Sequence, residues 1–123
     1  MEFVIQKTDE WFDFVSIDKN LDEVVNCFSE DASLFGTFSP ILSQNKFIKE
    51  YFKHFLSIKG LKVINKKYNI QRISDDIYIN NTFITWEICD KPNFTTRMSF
   101  IFKMISNKFK IIHLHSSVLP NEL

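Results

Sequence analysis

Apolar residues recur at three- and four-residue steps through the first part of the chain, as Trp11, Phe14 and Val15 and then Leu21, Val24, Val25 and Phe28. That spacing predicts two short helices meeting near Asp18-Lys19-Asn20, each with one apolar stripe. Glu30-Asp31 ends the pattern, Ala32-Ser33-Leu34-Phe35 reads as a short strand closed by Gly36, and Ser39-Pro40 marks a turn. Ser43 stands as the cap of a third helix, in which Phe47, Ile48, Tyr51, Phe52, Phe55 and Leu56 oppose Lys46, Lys49, Glu50 and Lys53. Gly60 closes it. Beyond Gly60 the chain turns to β-branched and aromatic runs broken at Ser74-Asp75-Asp76, Asp90-Lys91-Pro92-Asn93 and Ser106-Asn107-Lys108. This predicts four hairpin-linked strands over residues 61–73, 77–88, 94–105 and 109–118, long enough that the sheet must twist and curl. Helices followed by a long antiparallel meander make an α+β plan.

Length and composition narrow the picture. The 123 residues suit a single domain spanning 1–123, and 45% hydrophobic residues, 14 Phe and only 2 Gly and 3 Pro supply enough apolar surface to offset ordering entropy. Fifteen basic and fifteen acidic residues cancel, which removes the long-range field that a nucleic-acid or anionic-membrane binder uses. No apolar run approaches the roughly 20 residues of a membrane span, and the first residues lack the order of a signal peptide, so a cytoplasmic location is expected. Cys27 and Cys89 read as buried free thiols. The sequence carries no Gly-rich phosphate loop, no Gly-x-Ser-x-Gly elbow and no HExxH, and no cofactor is expected.

Candidate chemistry concentrates in the last two strands. In His113-Leu114-His115-Ser116-Ser117, strict alternation puts Phe109, Ile111, His113, His115 and Ser117 on one face. Two imidazoles need a third and usually a fourth donor to hold a metal, and none has the right proximity in sequence. No metal is therefore expected; the histidines are either hydrogen-bonded structural residues or cavity-lining groups that touch a ligand. Arg97 shares a face with Thr95 and Ser99, and its guanidinium needs either water or a carboxylate, from the protein or a ligand.

The order helix-helix-strand-helix-four strands, with Phe28-Ser29-Glu30-Asp31-Ala32-Ser33-Leu34 and the ending Lys108-Phe109-Lys110-Ile111-Ile112-His113-Leu114-His115-Ser116-Ser117, resembles the nuclear transport factor 2-like superfamily. Within it the chain is most similar to SnoaL-like domains and to the association (hub) domain of calcium/calmodulin-dependent protein kinase II, over about Lys7 to Val118. The resemblance implies a cone-shaped, strongly curved antiparallel sheet wrapped around a long helix, a cystatin-like α+β barrel, with an internal cavity and dimerisation through the outer sheet face. Tyr51, Arg97 and His115 match similar residue types of the hub domain, while Ile84 stands where that domain has an arginine. Against the ketosteroid isomerases, Gly36, Trp11 and Ser99 occupy the positions of the base, the phenol and the protonated acid, so that chemistry lacks its groups here. In the polyketide-cyclase branch only a histidine or Asp31 is available as acid-base group.

The expected cavity wall is Trp11, Phe35, Tyr51, Trp86, Arg97, Ser99, His113 and His115, with Trp11 and Trp86 equally readable as core. The expected function is binding of a small, partly apolar, carboxylate-bearing molecule by a homodimer. One alternative is a small lyase, cyclase or isomerase with His113 or His115 as general base. Another is a dimerisation or interaction module with a vestigial cavity, which a pocket filled by aromatic side chains would favour.

Overall fold

The computed structural model describes residues 1–121. Three helices, α1 (Glu2–Ser16), α2 (Leu21–Asn26) and α3 (Lys46–Phe55), accompany six strands, β1 (Phe28–Phe35), β2 (Leu42–Gln44), β3 (Lys62–Arg72), β4 (Ile77–Glu87), β5 (Phe94–Ile105) and β6 (Lys108–Val118). The strands form one sheet in the order β2-β1-β6-β5-β4-β3. All neighbours pair antiparallel except β1 and β6, so the sheet is mixed and not purely antiparallel as expected. A parallel pair needs a long crossover, and the chain between β1 and β6 supplies one. The terminal strands β2 and β3 do not pair, and the sheet stays open instead of closing into a barrel.

Helix α1 buries Val4, Thr8, Trp11, Phe12 and Val15, the stripe of a 3.6-residue period. Through Phe3 it reaches Tyr78 of β4 and Phe109 of β6, through Asp9 the Tyr68 hydroxyl of β3, and through Trp11 both Phe28 of β1 and Phe100 of β5. Five strands about 4.8 Å apart span about 19 Å when flat, whereas a helix is about 10 Å wide. One helix touches all five only because the sheet curls around it.

Strand β4 alternates cleanly, with Tyr78, Asn80, Thr82, Ile84 and Trp86 buried, and β5 continues this inner face with Thr96, Met98, Phe100 and Phe102. The β5–β6 hairpin turns through Ser106 and Asn107, both at positive φ, the geometry of a two-residue loop whose twist matches its strands. Ser43, expected to cap α3, lies instead in β2, a three-residue strand too short to show periodicity; Asn45 precedes the helix. Of the two thiols expected to be buried, Cys27 is half-buried and Cys89 exposed, and both are free.

Candidate functional site

The decisive local event lies in β6. Phe102 pairs with Ile111 and Ile101 with His113, which leaves Ile112 as an extra residue on its strand. Such a bulge shifts the side-chain alternation by one. Ile111 on one side of it and Leu114 on the other both point inward, 0% and 1% exposed. Strict alternation would have sent His113, His115 and Ser117 inward with Ile111; the bulge sends them to the helix-free face.

That face is laid out in rows by the strand register. Ser33, His113, Ile101 and Ile79 form one row, Phe35, His115, Ser99 and Asn81 a second, and Ser117, Arg97 and Phe83 a third. Within them the Ser33 hydroxyl lies 2.7 Å from His113 Nδ1, Ser99 donates to Asn81 at 3.1 Å, and Arg97 donates to Ser117 at 3.2 Å. The Phe35 ring meets both imidazoles, at centroid distances of 5.9 Å to His113 and 5.3 Å to His115. Burial first and the neighbouring His115 second lower the His113 pKa, while a hydrogen bond to the Ser33 backbone raises it. Arg97, expected inside a cavity, is exposed and finds its acceptor in a serine hydroxyl.

The other predicted wall residues lie on the opposite side of the sheet. Trp11 is core, its indole donating to Val24 carbonyl at 3.2 Å while its ring meets Phe12, Phe28, Phe52 and Phe100. Trp86 is also core, donating to Thr96 Oγ1 at 2.9 Å and packing on Phe12 and Phe55. Tyr51, on α3, presses its ring against Gly36, where an added Cβ would lie 2.2 Å from Cε1. Its hydroxyl accepts the Phe38 N–H at 3.4 Å, and burial pushes its pKa up. The single wall expected from these eight residues is therefore corrected to two faces of one sheet, with Trp11, Tyr51 and Trp86 inside and Phe35, Arg97, Ser99, His113 and His115 outside.

The interior between Trp11, Leu34, Gly36, Tyr51, Met98 and Leu114 holds a void of only about 10 Å³. A single water needs roughly 10–15 Å³ by the same kind of measure. Aromatic side chains fill the space that the resemblance assigns to a cavity. A larger hollow of about 480 Å³ opens beside it, between α3 and the segment running from β1 into β2, lined by Phe38, Ile41, Phe47, Tyr51, Phe55 and Ile58 with Ser39, Ser43, Glu50 and His54. Sequence reasoning identified Tyr51 in this group and missed the rest. The available signal was two bulky apolar residues, Phe38 and Ile41, flanking a Ser-Pro turn, while Phe47, expected on the apolar stripe of α3, stands exposed instead. Among the described residues no three metal-ligating side chains meet, and no helix is long and apolar enough to cross a membrane.

A family model described as a SnoaL-like domain matches residues 4–121. The chain belongs to the SnoaL-like family. No curated protein matches this SnoaL-like domain. Among solved structures it is similar to a Xanthomonas campestris protein described as a calcium/calmodulin-dependent protein kinase II association domain, with TM-score 0.83, 24% identity, and coverage of 97% of this chain and 87% of that one. An NTF2-like protein of unknown function from Pseudomonas putida gives TM-score 0.84 at 11% identity, covering 98% and 87%. A Parabacteroides distasonis protein described as a ketosteroid isomerase gives 0.73 at 15% identity, covering 96% and 86%. These likenesses share the fold of the SnoaL-like domain at identities too low to carry an activity with it.

Proposed function

We propose that this SnoaL-like domain is a homotypic interaction module, two copies pairing through the helix-free face of the sheet. The observation that carries the reading is that Phe35 and Phe83 stand 41% and 49% exposed on that face, around the half-satisfied polar set of Arg97, Ser99 and His115. Large apolar side chains exposed beside polar groups on an unpartnered sheet face form a surface that a protein partner can cover. The filled interior supports the same reading, because a ligand-binding or acid-base role for the histidines needs an enclosed space beside them, and their space is the open outer face. The similar Xanthomonas campestris protein bears the name of an association domain, which agrees with a role in assembly.

Sedimentation velocity tests the proposal. The wild-type chain is expected to sediment at twice its 14.6 kDa mass at micromolar concentration. Phe83→Glu, at a side chain exposed in the single copy, is expected to return it to the monomer with unchanged circular dichroism. A wild-type chain that stays monomeric at about 100 µM, well above the dissociation constants of standard-size interfaces, overturns the proposal.

A further inference from the structure

The 480 Å³ hollow beside α3 lies apart from the face assigned to pairing and falls within the roughly 300–1,000 Å³ range of small-molecule sites. Its rim leaves Phe38, Ile41 and Phe47 between 54% and 58% exposed, a concentration of apolar surface that water covers at a cost. Its aromatic planes are close to parallel: Phe38 stacks on Phe55 at 6.1 Å and 28°, and Tyr51 on Phe55 at 5.9 Å and 18°. A flat guest matches such walls better than a branched one.

The polar groups set the sign of the guest. Glu50 is the one carboxylate among the lining residues, and it makes no ion pair with any described residue. Aromatic faces carry negative potential and attract cations. The chain already shows this preference, since the Lys46 ammonium lies 5.4 Å over the Phe47 ring and not on the Glu50 carboxylate one helical turn away. Opposite α3, Ser43 is 3% exposed and lines the hollow, adding a hydroxyl to its wall. The geometry points to a binding site for a flat, apolar amine, its ring body against Phe38, Phe47 and Tyr51 and its ammonium at Glu50. This preference is opposite in charge to the carboxylate ligand expected from Arg97, and the site is independent of whether two copies pair.

Three probes of matched shape test it by isothermal titration and by amide chemical shifts: 2-(1-naphthyl)ethylamine, 2-(1-naphthyl)ethanol and 1-naphthaleneacetate. The amine is expected to bind saturably, about fivefold tighter than the alcohol, the increment of an exposed ion pair, with the carboxylate weaker still. Shifts are expected to cluster within residues 38–58. Glu50→Gln, at an exposed position, is expected to erase the advantage of the amine and leave the alcohol unchanged, and Phe47→Ala to weaken all three. Equal or tighter binding of the carboxylate, shifts centred elsewhere, or no saturable binding of any probe overturns the inference.

Discussion

The contact between Gly36 and Tyr51 is the feature most directly open to measurement. A Cβ added at Gly36 would lie 2.2, 2.4 and 2.8 Å from three atoms of the Tyr51 ring, whereas ordinary carbon contacts begin near 3.4 Å, so the ring edge must retreat by about 1 Å or more. The interior offers no room, since its void is about 10 Å³, and Phe52 and Phe55 bracket the ring on α3. The only retreat is outward, toward the open hollow, at the loss of the Phe38 hydrogen bond. Overpacking of this kind costs about 1–3 kcal/mol, which lowers the melting temperature of a domain this size by about 4 °C per kcal/mol. Gly36 adopts no positive φ, so the whole cost is steric and belongs to the pair. In a Tyr51→Ala background, Gly36→Ala is therefore expected to be neutral or to stabilise by up to about 1 kcal/mol through the unfolded chain. Urea denaturation of the four members of this cycle should give a coupling of about 1–3 kcal/mol. Equal cost of Gly36→Ala in both backgrounds would refute the claim that the Tyr51 ring closes the interior against this glycine.

Two further outcomes follow from buried groups. Asn80 is 0% exposed and donates to Thr8 Oγ1 at 3.0 Å, but its Oδ1 has no partner; exchanging that desolvated oxygen for a methyl in Asn80→Leu is expected to raise the melting temperature by a few degrees, since an unsatisfied buried acceptor costs about 1–3 kcal/mol against about 1 for the lost bond. Calorimetry showing a fall instead would mean that Oδ1 is satisfied. Cys27 has its thiol pushed up to about 11, by burial first and Glu10 second, so near pH 8 its thiolate is about one part in a thousand. Iodoacetamide at that pH is expected to label one site per folded chain, the exposed Cys89, and mass spectrometry finding Cys27 modified at a similar rate would contradict that burial.

The long strands were legible because β-branched and aromatic residues crowd runs such as Ile77–Glu87, and because acidic and Asn-containing breaks separate the runs. The helices were legible from their stripes. Strand β2 was not, since three residues carry no period, and its neighbour β1 begins at Phe28, four residues before the expected start, because Phe28 also completes a helical spacing. The side of the sheet taken by the histidines was legible only up to the bulge. Phe109 and Ile111 look like the same face as His113, and nothing in Ile111-Ile112-His113 marks which isoleucine is extra. The hollow beside α3 escaped for a different reason: its lining comes from a turn, a minimal strand and one flank of a helix, which are joined only by the fold.

The displaced register at Ile112 also bears on how such a domain changes over evolutionary time. A one-codon deletion there would rotate the segment bearing the imidazoles by half a turn and exchange what the molecule offers to its surroundings for what it keeps enclosed, without altering any histidine. Relatives of nearly identical composition could thereby diverge between adhesive and ligand-holding lifestyles through insertion or loss of a single residue, a route that substitution-based comparison of their sequences would overlook.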